Sequence, residues 1–274
     1  MQPISNLVND ESFQTMMGVS DKRPGTCEKH GDFIELHCSG EKLGFKAGWR
    51  GCQSCNDEAA KEKQDHEDRE RQAQMHRDRI ERTVKNSGIP KRFLGKTIDN
   101  FDAANPKAAK NVQRIREYLD VVCGSDHGGR SLILLGKVGT GKTHLGCALL
   151  AAVIRRTSRN CAYWTFAELV RDVKATFTKD SKRSEQDVYD QFAAPLLLVL
   201  DEVGMQNFTD FEQAVAYEAI NARYLAEKPT VLITNQQAKD LPLCVGERVV
   251  DRLREGGGRA LDFDWKSYRV GGAS

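Results

Sequence analysis

No stretch of this chain is apolar for the ~20 residues needed to cross a bilayer. The opening residues, MQPISNLVNDESF, lack the apolar core of a secretory signal. The expectation is a cytoplasmic protein with no membrane partner. An excess of charge of one sign is missing too. Lys plus Arg number 41 and Asp plus Glu 39, so bulk charge selects no partner and only local clusters can. Cysteine is not lacking, with eight in the chain, but an oxidising compartment is. A disulfide framework is therefore not expected. Cys123, Cys147, Cys161 and Cys244 are scattered among apolar residues and read as small core side chains.

Three zones separate by composition. Residues 1–55 are polar, with Gly, Cys and His. Residues 56–88 carry dense mixed charge. Acid precedes base by four residues at Asp57/Lys61, Asp65/Arg69, Glu67/Arg71, Asp78/Arg82 and Glu81/Lys85. Each such pair adds roughly 0.2–0.5 kcal/mol to a helix, so one charged linker helix is expected, ended by NSGIP. Its apolar stripe is thin: Ala73, Ile80 and Val84. A solvated linker and a partner-binding helix both fit. From 89 to 274, the apolar runs SLILLG, CAYWTF, PLLLVLDE, TVLITN and ALDFDW alternate with helical patterns around 106–122, 143–157, 167–177, 185–193 and 210–226. That alternation predicts an α/β domain, a parallel sheet with helices on both faces.

The first zone holds Cys27-x-x-His30 and Cys52-x-x-Cys55. Two such knuckles give a Cys₃His tetrahedral set, closed and therefore structural, suited to Zn²⁺. His37 and Cys38 are spare candidates for the place of His30. HGDFIELHC and GWRGC would be strands of a small ribbon. Nearby Lys42, Lys46, Trp49 and Arg50 suit DNA or protein.

GKVGTGKT, Gly136 to Thr143, satisfies G-x-x-x-x-G-K-[ST] between a strand and a helix. Gly136, Gly139, Thr140 and Gly141 shape a loop whose N–H groups, residues 139–143, face a polyphosphate. Lys142 reaches the β- and γ-phosphates, and Thr143 ligates Mg²⁺. Asp201 and Glu202 leave the end of the buried LLLVLDE run. The first can hold Mg²⁺ through water, and the second can orient the attacking water. VLITN ends in Asn235, at the carboxyl edge where ligands sit in such sheets. A strand-end turn asparagine is its plainer reading.

A phosphate loop, a hydrophobic-DE strand, a strand-TN and late arginines together resemble the AAA+ ATPases. GTGKTHLGCAL, FAELVRDVKATF, LLLVLDEVGMQ, PTVLITN, GERVVDRLR and FDWKSYR are similar to bacterial and phage replicative-helicase loaders of the DnaC type. The resemblance covers about 90–270. It implies an AAA+ P-loop fold and slow ATP hydrolysis that depends on an oligomer and on DNA. ATP would lie between copies that associate through this domain, with His144 among the nucleotide-binding residues. It implies Arg252 as a finger supplied to the neighbour's ATP, with Arg248 and Arg223 as alternates. Arg269 resembles the arginine that touches the same subunit's nucleotide. Salt bridges to Glu247 or Glu255 are the plainer fate of Arg248 and Arg254. The resemblance also places Lys174, Phe177, Thr209 and Phe211 against single-stranded DNA, although Asp210 departs from that pattern and Phe177 or Phe211 could be core. The N-terminal module would dock on a hexameric replicative helicase. Two rival functions are a transposition helper acting on a transposase and duplex DNA, and a small-molecule P-loop kinase. A third is a nucleic-acid-binding zinc protein that uses ATP only structurally.

Overall fold

The computed structural model describes residues 14–15, 17–39, 46–103, 105–125, 127–204 and 208–268. The chain divides into two units, Met1–Arg77 and Asp78–Ser274. Arg269 and Lys42 lie outside the described residues. No helix among the described residues is long and apolar enough to cross a membrane.

The first unit contains a three-stranded antiparallel sheet in the order β1 (Val19–Cys27), β2 (Gly31–Cys38), β3 (Gly48–Arg50). The first strand is absent from the sequence expectation because VSDKRPGTC is almost all polar and mostly exposed, with no alternation to read. Pairing with β2 along the strand makes it a strand. Helix α1 (Gln53–Lys85) starts here and runs on through the unit boundary. At 33 residues it is about 50 Å long. Its own ion pairs include Lys63–Glu67 and His66–Glu70, with the base first, and Glu81 instead reaches Arg155 at 3.2 Å. Of the apolar stripe, Ala73 is exposed and Val84 is buried.

The second unit is a five-stranded parallel sheet. Its order is β5 (Ala162–Thr165), β6 (Leu198–Val203), β7 (Thr230–Thr234), β4 (Leu132–Gly136), β8 (Arg259–Phe263). The central strands are buried on both faces, which explains their unbroken apolar runs. One face packs on α2 (Pro106–Cys123) and α3 (Lys142–Thr157) through Ile115, Leu145, Leu149 and Phe263. The other packs on α4 (Phe166–Ala175), α5 (Glu185–Ala193), α6 (Asp210–Leu225) and α8 (Glu247–Arg254) through Leu169, Phe192, Ala219 and Leu253. The short α7 (Leu241–Val245) adds Leu241 and Val245. Fully burying each such aliphatic side chain is worth roughly 1.5–3 kcal/mol.

Helix starts are written locally. Asn105 accepts the Ala108 N–H before Pro106, while Thr165, Ser184 and Thr209 form reciprocal capping boxes with Glu168, Asp187 and Glu212. The expected last strand stops at Phe263, so Trp265 lies beyond it, although its ring still packs on Phe263 at 4.8 Å. Cys147 and Cys161 are buried, as their apolar neighbours suggest, while Cys123 and Cys244 are half-buried.

Candidate nucleotide and metal sites

The phosphate loop joins β4 to α3. Gly141 sits in the left-handed region at φ 92°, and a Cβ there would stand 2.3 Å from the Phe101 ring. Only glycine can start α3 in this place. Lys142 is buried, and its Nζ donates to the carbonyls of Gly136 and Lys137 at 2.6 and 2.7 Å. Thr140 is buried and donates from its Oγ1 to the Lys137 carbonyl at 2.8 Å, which closes the loop on itself.

Asp201 lies in β6, buried with 3% of it exposed. Its Oδ2 accepts from Thr143 Oγ1 at 2.8 Å and from Tyr163 Oη at 2.9 Å, and its Oδ1 accepts from the Glu202 N–H at 2.7 Å. A hydroxyl and a carboxylate that converge in this way are hard oxygen donors, the set that suits Mg²⁺. The next residue breaks the strand. Glu202 adopts φ 61°, and the pairing of β6 with β7 shifts register between Leu200 and Val203. A glutamate in that region is strained by roughly 1–3 kcal/mol. Its side chain is exposed between buried Asp201 and Val203.

A cavity of about 610 Å³ collects these groups. Gly139, Lys142, Thr143, His144, Asp201, Glu202 and Asn235 line it, as do residues that sequence reasoning did not select: Phe93, Phe101, Tyr163 and Tyr268. Tyr268 donates its N–H to the Gly139 carbonyl at 2.9 Å and its hydroxyl to the Asp102 carbonyl at 2.7 Å. The chain after β8 thus folds back onto the phosphate loop, one residue before Arg269. His144 donates from Nε2 to the Thr97 carbonyl at 3.0 Å and stands edge-on to Phe101 at 5.2 Å. Burial lowers its pKa, which favours the neutral ring.

The candidate arginines separate. Arg223 is fully buried and donates to six oxygens: Thr230 Oγ1 and the carbonyls of Phe192, Ala193, Pro195, Leu196 and Pro229. Sealed in this way it cannot reach another molecule, and it is not an arginine finger. Desolvation lowers its pKa to about 9, which leaves it charged at neutral pH. Arg252 lies near the end of α8, one-third exposed, over the Tyr224 ring at 4.2 Å and 3.4 Å from Glu255. It is therefore Arg252, rather than Arg248 or Arg254, that takes the ion pair with Glu255.

Lys174, Phe177 and Phe211 meet on one surface. Phe177 is 57% exposed and meets Phe211 edge-on at 5.8 Å, and Lys174 Nζ lies 5.5 Å from the Phe211 ring centre. Phe177 is not a core residue. The Thr209 hydroxyl is occupied at the start of α6, donating to Glu212 Oε2 at 3.1 Å and accepting the Glu212 N–H.

In the first unit, Cys27, His30, Cys52 and Cys55 place their ligand atoms within 4.8 Å of one another. Cys27 Sγ to Cys55 Sγ is 3.5 Å, and His30 Nδ1 lies 3.7, 3.6 and 3.3 Å from Cys27, Cys52 and Cys55. The edges of a tetrahedron around zinc with ~2.3 Å Zn–S bonds are about 3.7 Å, so the four could hold Zn²⁺ with little adjustment. His30 Nε2 is 3.0 Å from Glu58 Oε1, and Glu58 also pairs with Lys29. A carboxylate on the far nitrogen of a ligand histidine fixes ring and tautomer. Glu58 was missed because it lies among the helix's many acids. His37 bonds Ser20 Oγ at 2.7 Å and Cys38 is buried, so neither joins the cluster.

Residues 56–243 match the family described as IstB-like ATP binding protein. The chain belongs to that family. Over 191 residues it is 29% identical to the replicative helicase loader DnaC of Escherichia coli strain K12, covering 70% of this chain and 76% of that one. It is 28% identical, with the same coverage, to the DnaC loader of Buchnera aphidicola subsp. Acyrthosiphon pisum strain APS. A crystal structure of the DnaC helicase loader matches with a TM-score of 0.57 at 23% identity, covering 63% of this chain and 99% of that chain. That likeness shows the fold, the parallel-sheet AAA+ P-loop fold. Family membership makes this an ATP-binding protein, and its site is of the kind that hydrolyses ATP.

Proposed function

We propose that this protein is an ATP-dependent loader that binds a hexameric replicative helicase and places it on single-stranded DNA. One coincidence carries the reading. The same domain that carries the phosphate loop and the Asp201–Glu202 strand end also exposes Phe177 and Lys174 beside Phe211. An aromatic platform with a cation beside it suits stacked bases and their phosphates. The named loaders that share 76% of their length with this chain support the helicase as partner. A transposition helper would keep the same ATPase, but duplex DNA hides the base faces that an exposed aromatic such as Phe177 recognises.

In this reading the N–H groups of residues 139–143 and Lys142 hold the triphosphate, and Thr143 with Asp201 holds Mg²⁺. A cation held there would supply charge neutralisation to the phosphates. Glu202, exposed beside Asp201, orients a water in line with the γ-phosphorus. The new O–P bond forms as the bridging O–P bond breaks, ADP departs, and Glu202 takes the water's proton. Asn235, on the cavity wall, contacts the γ-phosphate or that water. Arg252 of a neighbouring copy stabilises charge on the phosphate oxygens. Turnover is slow in the isolated chain because that arginine comes from another copy. Arg269 is proposed for the same subunit's nucleotide. The zinc module, residues 1–55, docks on the helicase. The charged segment 56–88, which holds most of α1, joins it to the ATPase domain, 89–274.

The test is co-elution of the full chain with a bacterial replicative helicase in ATP, followed by helicase capture on closed circular single-stranded DNA. Both are expected, and a Cys27→Ser chain should lose co-elution. A chain that binds no replicative helicase contradicts the proposal.

A further inference from the structure

The outer strand β5 carries Tyr163, which the phosphate chemistry above does not use. Its ring is buried, and its hydroxyl donates to Asp201 Oδ2 at 2.9 Å. Two other donors share that carboxylate, Thr143 Oγ1 on the same oxygen and the Glu202 N–H on Oδ1. Thr143 is the loop hydroxyl that P-loop enzymes turn toward their cation. Once it turns, Tyr163 is the side chain that still fixes Oδ2. Burial and the Asp201 charge both push the tyrosine's ionisation upward, so it stays a donor.

The backbone of Tyr163 is gripped in turn. Its N–H donates to the Ser87 carbonyl at 2.7 Å. Ser87 is buried, and its Oγ donates to the Val84 carbonyl in the last turn of α1, also at 2.7 Å. Gly88 adopts φ 85°, and a Cβ there would stand 2.4 Å from the Tyr163 carbonyl oxygen. The exit of the charged helix is therefore latched to the edge of the sheet, on the residue of β5 whose side chain hydrogen-bonds to Asp201.

We propose that Tyr163 is a positioning residue for ATP hydrolysis, holding Asp201 in its cation-binding orientation, and that the Ser87–Gly88 latch sets how well it does so. The proposal rests on the ATPase reading of the site and is independent of helicase and DNA. It gives the charged helix a physical route to the chemistry: what strains its last turn moves Tyr163, and Tyr163 moves Asp201.

Tyr163→Phe deletes the hydroxyl and keeps the ring. Binding of a fluorescent ATP analogue in EDTA should stay within about twofold of the parent, because the loop and Lys142 are untouched. The Mg²⁺ concentration that half-saturates the tightening of that binding should rise about tenfold, and kcat should fall about tenfold, the low end for losing one hydrogen bond to a charged group. Gly88→Ala should lower kcat in the same way. In the double variant the loss should be no larger than that of Tyr163→Phe alone, since both act through one contact. If Gly88→Ala does not fold, Ser87→Ala takes its place. A tyrosine that merely fills the core gives a lower melting temperature with kcat and Mg²⁺ requirement unchanged, and that result overturns the proposal. Losses that multiply in the double variant overturn the latch. A parent that neither binds nor hydrolyses ATP sinks the ATPase reading as well, whereas an active parent matched by Tyr163→Phe sinks this inference alone.

Discussion

Arg223 and Arg252 were both candidates to reach a neighbouring copy, and their surroundings set them apart. Six oxygens enclose the Arg223 guanidinium. Replacing it with methionine strips those oxygens of their donors in a dry interior. Arg223→Met should lose about 3–5 kcal/mol of unfolding free energy, the cost of breaking a buried charged network. Arg252→Ala removes a solvent-screened ion pair and a contact with Tyr224, neither of which anchors the core. Its unfolding curve in urea should lie close to the parent's while its hydrolysis collapses. Equal stability losses in the two variants would contradict the assignment. Phe177→Ala should weaken single-stranded DNA binding by roughly 1–3 kcal/mol, the worth of one stacked base. Lys174→Ala should instead flatten the salt dependence by about one phosphate contact. Fluorescence anisotropy across a salt series separates the two. Identical salt slopes for both variants would argue against the surface.

At the scale of elements, what the sequence shows clearly is whatever one strand or helix needs for itself. LLLVLDE reads as a strand because both of its faces are buried, and GTGKT reads as a loop because its geometry demands glycine. The charged helix reads from its absence of breakers between Gln53 and Lys85. What stays hidden depends on partners distant in sequence. β1 is polar and becomes a strand only beside β2. Tyr163 looks like any strand aromatic until Asp201 stands beside it, and Arg223 like a surface charge until Phe192 and Pro229 close over it. The positive φ of Glu202 leaves no sequence signal at all, since a glutamate is not a residue chosen for that region. The zinc cluster allows an element-scale test. Metal analysis should find about one zinc per chain, the count for four ligands around one ion. Chelation should open the β1–β3 ribbon to protease while the parallel-sheet unit keeps its melting temperature. A ribbon equally resistant with and without chelator would remove the metal from the account.

The molecule as a whole joins a triphosphate cradle to a guanidinium that lies outside it. Gly141, Lys142, Thr143, Asp201 and Glu202 border one cavity, and Arg252 is not among the residues that line it. That separation motivates the proposal that hydrolysis requires a second copy. The direct measurement is to mix two inactive chains. Lys142→Ala cannot hold ATP yet still presents Arg252; Arg252→Ala holds ATP and lacks the arginine its neighbour needs. Each alone should be almost silent, and the mixture, with single-stranded DNA present, should recover hydrolysis in proportion to the mixed pairs formed. A mixture as silent as its parts, or an Arg252→Ala chain as active as the parent, would contradict a site finished by its neighbour.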